Sequence, residues 1–368
     1  MALVEIKLRR DRHDSIDHDL RDGYNAGFSV LFGHLRLPVS DVGSTAVLSF
    51  PPASLKDLIF FTVVFPMTSS RQTSLPQETF DNVIDHFHAD TQALQTCALV
   101  ALAWLSSARA HLFHRISLEP PKTTHGAGAS FFFIQSRTSP CQKLFDIIEW
   151  STKGRLGGIM PYVRELHLCE GMLAREWLAH EPTLPLLLRS LPNLRRFEIS
   201  RSASVRIAWG QLPIGLKAAI AEHVLCLPAL TELRLSGLML DNVGDLGELL
   251  RACGHLRVLE VDHVIFANES VASLKTSVGS KAHRTQLDKL VIGPRTSTAL
   301  ISFLLHPHSN IAIGTMRELA MSISGNFADF ARLLHASLSV EHLELSLMND
   351  GALHLLKILR SGFSEGSL

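Results

Sequence analysis

Apolar residues recur through the second half of the chain in a phase that marks short strands at regular intervals. Hexads beginning at 163 (VRELHL), 194 (LRRFEI), 230 (LTELRL), 256 (LRVLEV), 287 (LDKLVI), 316 (MRELAM) and 340 (VEHLEL) each place apolar side chains at positions one, four and six. The step from four to six is the two-residue alternation of a strand with one buried face. Successive starts lie 24 to 36 residues apart, a spacing that predicts seven related units rather than chance clustering.

Between the hexads the period becomes that of a helix. In DNVGDLGELLRAC, residues Val243, Leu246, Leu249, Leu250 and Cys253 fall on one face, with Asp241 as the expected N-cap and Gly254 as the expected left-handed stop. Similar helices are predicted at about 216–226, 297–305, 326–337 and 351–360, and Pro192 and Pro228 end two helical stretches before the next strand. Strand, turn and helix stacked on copies of themselves predict an α/β solenoid with a parallel sheet on its concave side.

Over roughly residues 155–360 this pattern resembles the leucine-rich-repeat family, whose repeat reads L-x-x-L-x-L-x-x-N/C-x-L. The Asn or Cys position here holds Gly171, Ser202, Leu238, Val264, Arg295, Ser324 and Met348. No ladder of buried amides is therefore expected, and the uneven repeat lengths imply an irregular, ribonuclease-inhibitor-like solenoid.

Upstream, LPQETFDNVIDHFHADTQALQTCALVALAW (75–104) reads as helices without chemistry. Pro76 suits a first helical turn, Phe80, Val83, Ile84 and Phe87 follow at helical spacing, and Asp90 or Thr91 caps a second helix carrying Leu94, Cys97, Ala98 and Leu99. A third helix holds Trp104, Ala108 and Leu112 before LFHRISL turns extended. A unit of about 40 residues is near the lower limit for independent folding, so it is expected to complete its core on something else. LPQETFDNVIDHF, CALVALAW and ARAHLFHRISL resemble an F-box, of the fungal type that follows a short polar lead such as the one after Met67.

The resemblance implies binding to a Skp-type adaptor, and through it a cullin, with Leu75, Pro76, Ile84, Leu99, Val100 and Trp104 contacting or shaping the adaptor surface. Leu102 departs from the family, which often has a basic residue there. An F-box followed by leucine-rich repeats implies a non-catalytic substrate receptor of a cullin-based ubiquitin ligase, with an unknown protein as substrate. The alternative is a leucine-rich scaffold or GTPase-regulating solenoid whose helical unit only caps the repeats.

The expected organisation is an N-terminal extension (1–66), the F-box-like unit (67–118), a linker with a helix in QKLFDIIEW (119–160) and the solenoid (161–368). Residues 1–66 show no sustained period. They read either as an extension ahead of a start at Met67 or as a tail whose LIFFTVVF segment docks as an extra strand. The end at Leu368, soon after a predicted helix and without a polar cap repeat, leaves a shortened C-terminus open.

Composition narrows the function classes. The 368 residues are 46% hydrophobic and 19% charged, enough to bury a core. Thirty-five basic residues balance 35 acidic ones, so no whole-chain field draws phosphate backbones or anionic lipid, and neither nucleic acid nor membrane is expected as a partner. The five cysteines form no C-x-x-C pair, which points to a reduced cytoplasmic or nuclear setting rather than a disulfide framework or zinc site. Among 19 histidines the tightest pair, His86 and His88, lies two apart on a predicted helix and shares no face. No phosphate-binding, nucleophile-elbow or zinc-protease motif is present, so no catalytic residue, cofactor or metal is expected.

What remains is the sheet's outward face. Positions three and five of each hexad point away from the core: Glu165 and His167, Arg196 and Glu198, Glu232 and Arg234, Val258 and Glu260, Lys289 and Val291, Glu318 and Ala320, His342 and Glu344. Six acidic, three basic and two histidine side chains predict a substrate-binding surface for a protein partner of mixed, slightly basic character. The same charges also serve simply to keep an open sheet soluble.

Overall fold

The computed structural model describes residues 5–9, 76–120, 138–153, 158–171, 176–201, 206–269, 284–294, 296–307, 309–323 and 327–347. Leu75, Met67, LIFFTVVF and the helix expected at 351–360 lie outside the described residues. The elements below belong to one unit, residues 1–12 and 75–368.

In chain order they are β1 (Glu5–Arg9), α1 (Gln77–Asp85), α2 (Thr91–Val100), α3 (Leu102–Leu112), β2 (Arg115–Leu118), α4 (Pro140–Lys153), β3 (Glu165–Glu170), α5 (Trp177–His180), α6 (Leu184–Arg189) and β4 (Arg196–Arg201). Then follow β5 (Ile207–Ala208), α7 (Ile214–Ala218), β6 (Glu232–Ser236), β7 (Leu238–Asn242), α8 (Val243–Ala252), β8 (Val258–Asp262), β9 (Ile265–Asn268) and β10 (Thr285–Gln286). The series ends with β11 (Lys289–Ile292), α9 (Thr298–Leu304), β12 (Ile311–Ala312), β13 (Glu318–Ile323), α10 (Phe327–Ala336) and β14 (His342–Leu347).

The fold is α/β. Nine strands form one parallel sheet in the order β1-β14-β13-β11-β8-β6-β4-β3-β2. The one-four-six phase is its physical basis: Leu230, Leu233 and Leu235, like Leu287, Leu290 and Ile292, are buried in one continuous core with the inner faces of the helices. Position two sets the register. The Arg164 carbonyl accepts the Arg195 and Arg196 N–H groups at 2.7 and 3.0 Å, and Arg195, Thr231, Arg257, Asp288 and Arg317 repeat the arrangement in turn. Each forked bond fixes one repeat on the next with no offset, so position three meets position three all along the sheet.

The sheet starts earlier than the hexad at 163. The His114 carbonyl makes the same fork to Arg164 and Glu165, both at 2.9 Å, and β2 pairs with β3. Phe113, Ile116 and Leu118 carry the one-four-six phase there, Leu118 buried and the other two packed on the core. The helix after it, α4, buries Cys141, Leu144 and Ile148. At the other edge β1 pairs in parallel with β14, placing part of the unassigned N-terminal segment in the sheet.

Local chemistry explains further departures. Asn242, not Asp241, caps α8: its side chain accepts the Asp245 N–H at 3.1 Å while Asp245 accepts the Asn242 N–H at 3.1 Å, a reciprocal box that satisfies two helix-end donors. Gly254 is not left-handed; among described glycines that conformation belongs to Gly237, φ 70°, in the tight turn between β6 and β7. The helix expected near 216–226 changes after α7 into a π-helical turn, Ala219–Val224. The wider turn lets Ala219, Ile220, Val224 and Leu225 all reach the core. Leu238 and Val264, at the expected amide positions, are fully buried, and β5, β7 and β9 form a small second parallel sheet behind the turns.

Candidate functional site

Because the register has no offset, the outward residues form two straight rows. Position three reads Arg115, Glu165, Arg196, Glu232, Val258, Lys289, Glu318, His342 from β2 to β14. Position five reads Ser117, His167, Glu198, Arg234, Glu260, Val291, Ala320, Glu344. Neighbouring strands stand about 4.8 Å apart, so charges of opposite sign in one row meet directly.

They do so over most of the face. Arg196 reaches Glu232 and Glu198, both at 3.6 Å; Arg234 reaches Glu198 at 3.5 Å and Glu260 at 3.4 Å; Lys289 pairs with Glu318 at 2.9 Å. Glu165 sits 3.4 Å from His114 and 3.9 Å from Arg115. Glu198 is the centre of the network and is only 7% exposed. His167 completes it, with Nε2 2.6 Å from the Ser200 hydroxyl and 3.5 Å from Glu198, and Nδ1 3.1 Å from the Ser117 hydroxyl. Burial lowers the His167 pKa, outweighing the raising effect of Glu198.

All eleven charged or histidine residues expected on this face do share it. The surface is nevertheless not the freely acidic one that a count of side chains suggests: five of the six glutamates have a cation or histidine beside them. Glu344 is exposed, and the register sets it beside Lys7 of β1. The alternation breaks at Val258, Val291 and Ala320, which are half-buried. Two open depressions flank Lys289 there, one lined by residues including Arg234, Val258, Glu260 and Val291, the other by Glu318, Ala320, His342 and Glu344. Arg115 and Ser117 belong to the same face, ahead of the first hexad predicted at 163; the phase of FHRISL is the sequence signal that marks them.

The helical unit presents a different surface. Its core is small: Ile84, Leu94 and Ala108, with Cys97, Ala98, Trp104 and Leu112 packed around them. Asp90 caps α2 by accepting the Ala93 N–H at 2.9 Å. Helix α1 is latched to α3 by the Gln77 amide donating to the Ala103 carbonyl at 2.9 Å and by Asp85 2.7 Å from His111 Nε2. Ser107 and Gln77 donate to Asp81 and hold its carboxyl below the usual range.

Of the expected adaptor residues, Ile84 is 1% exposed and shapes the surface only from beneath. Trp104 is half-buried, its ring 6.0 Å from Phe80. Pro76 is exposed ahead of α1. Leu99 and Val100 are 86% and 63% exposed, and Leu102 beyond the Ala101 junction is 77% exposed. Three large apolar side chains in four residues thus face solvent at one helix junction. His86 and His88 lie past the end of α1, both exposed; no group of three or more metal-ligating side chains occurs among the described residues. Nor is any described helix long and apolar enough to cross a membrane.

Compared with models of protein families the chain matches none, and a comparison with curated proteins finds no significant match.

Proposed function

We propose that this protein is the substrate-recognition subunit of a cullin-based ubiquitin ligase, its helical unit an F-box that binds a Skp-type adaptor and its sheet the face of an irregular leucine-rich-repeat solenoid that holds a protein substrate. The observation that carries the reading is the solvent-exposed set Leu99, Val100 and Leu102 on a unit whose own core is only three fully buried residues. Such exposure is costly unless a partner covers it.

A second feature supports the reading. Helix α3 runs into β2 through Phe113 and His114, and Ser106 on α3 lies 3.2 Å from the Tyr162 hydroxyl just before β3. A unit joined to the sheet without a linker holds a bound substrate at a set distance from an adaptor on the other end. The receptor's contribution is then proximity: it raises the effective concentration of the substrate's lysine near a charged ubiquitin-conjugating enzyme and breaks no bond itself.

The test is co-elution of the full chain with the Skp-type adaptor of the same organism. Wild type should co-elute, and Leu99→Asp and Leu102→Asp should not, while both variants keep the wild-type melting temperature because neither side chain is in the core. Failure of the wild type to bind would overturn the proposal.

A further inference from the structure

We infer that the edge of β14 turned away from β13 is a strand-acceptor site, which the chain fills with its own residues Glu5–Arg9. In competition with them it takes a parallel, extended segment of a partner protein, with apolar residues at positions one, four and six of a hexad and a lysine or arginine at position five. This contact is distinct from both surfaces of the proposed function and does not depend on that reading.

β1 reaches the sheet differently from every other strand in it. From β2 to β14 the strands of the large sheet stand side by side in chain order, whereas β1 comes first in the chain and lies beside the last strand. Its link to α1 runs through residues 10–75, so it joins β14 as a strand brought from elsewhere rather than as the continuation of a repeat. The sequence explains why it fits. LVEIKL (3–8) carries the one-four-six phase of the repeat hexads, with Leu3, Ile6 and Leu8 at those positions. It pairs in the same zero-offset register, Glu5 with His342 at position three and Lys7 with Glu344 at position five. Ile6 and Leu8 are set beside Leu343 and Leu345, both buried.

A strand at the end of a sheet offers a row of backbone N–H and C=O groups, and an added strand satisfies them whatever its sequence. Selection therefore comes from the side chains it sets beside those of β14. Alternation puts positions four and six of a guest on the side of Leu343 and Leu345, and positions three and five on the outward face. At position five the guest meets Glu344, which a lysine or arginine complements and a carboxylate opposes. A slip of one residue turns the apolar set outward, so the phase is recognised and not composition alone. The chain's own strand is covalently tethered and competes at a high effective concentration. A partner segment gains the edge when residues 3–8 leave it.

Fluorescence anisotropy of a labelled peptide of residues 2–11, added to the full chain and to full-length Ile6→Asp/Leu8→Asp, tests this. The variant's own strand no longer carries the phase, so it should bind the peptide at least about tenfold more tightly than wild type does. A Lys7→Glu peptide should bind the variant about two- to fivefold more weakly, because a like charge then stands beside Glu344, and adding Glu344→Lys to the variant should invert that preference. A peptide with Ile6 and Lys7 exchanged keeps the composition, breaks the phase and should bind neither chain. No binding by a variant that still melts cooperatively, equal binding by variant and wild type, or equal binding of the exchanged peptide would overturn the inference. If the variant does not melt cooperatively, full-length Lys7→Glu takes its place: it should bind the peptide more tightly than wild type, and no gain would overturn the inference. Adaptor co-elution is read separately and bears on the ligase reading alone.

Discussion

Glu198 on β4 and Arg234 on β6 face each other on neighbouring strands, Oε1 to Nε at 3.5 Å, and the arginine Nε has no hydrogen-bond partner among the described residues. The contact is ionic rather than hydrogen-bonded, and Arg196 on the same strand and His167 on β3 lie beside the same carboxylate. Removing the carboxylate leaves two guanidinium groups without their common counter-ion on a crowded face. Glu198→Ala should cost about 1–3 kcal/mol in urea unfolding, below the value for a fully buried pair because both arginines remain partly exposed. Replacing all three charges, with Glu198→Leu, Arg196→Met and Arg234→Met, should recover most of that loss. A single variant as stable as wild type would mean that solvent, not the network, carries these charges.

His167 gives the face a pH dependence of known sign. Its pKa in the folded chain lies below the ordinary 6.5, chiefly through burial, so the unfolded chain takes up the proton first as pH falls. Its contribution to stability is complete above the ordinary value, is lost as pH falls through it and levels off below the depressed folded value. Melting temperatures at about pH 7.5 and about pH 5 should therefore differ less in His167→Gln than in wild type. Equal differences would show that His167 protonates in the folded chain as easily as in water.

Two glycines should respond in opposite directions to alanine. Gly237 has φ 70° in the turn after β6, and a β-carbon there would meet the Arg201 side chain. Gly237→Ala should destabilise by about 1–2 kcal/mol for the left-handed backbone alone. Gly215 lies in α7 with nothing within 4 Å of where an alanine methyl would stand, and Gly215→Ala should stabilise by about 0.5–1 kcal/mol. Paired denaturation curves check both signs at once.

Thiol reactivity should rank by burial. Cys141 and Cys253 sit in the core, where desolvation pushes both thiols up, Cys253 to about 12, and burial raises Cys97 and Cys169 as well. Cys226 is the exposed one. In the native chain a disulfide reagent should give one fast phase that Cys226→Ser removes, with Cys141 and Cys253 reacting only on unfolding. Labelling of Cys253 at the rate of Cys226 would reveal local opening of the α8 layer.

The one-four-six phase determined, from sequence alone, which residues of each repeat turn inward: Leu233 and Leu235 are buried because burial of a strand's alternate side chains is a local property of the pattern. The helical face of Val243, Leu246 and Leu249 was legible for the same reason. The hexad at 113 is harder to read because Phe113 begins it while still closing α3, and no regular spacing points to it. Caps and turns were less legible, since Asp241 and Asn242 are equally good caps by type and only the backbone path places the second at the helix start. The site is where sequence reading stops short. Glu165, Glu232 and Glu260 look free when counted along the chain, yet each has an arginine of a neighbouring strand beside it. Which charges meet one another depends on the zero-offset register that the forked bonds at position two impose across the sheet. That register joins residues some thirty positions apart, and only the tertiary structure decides it.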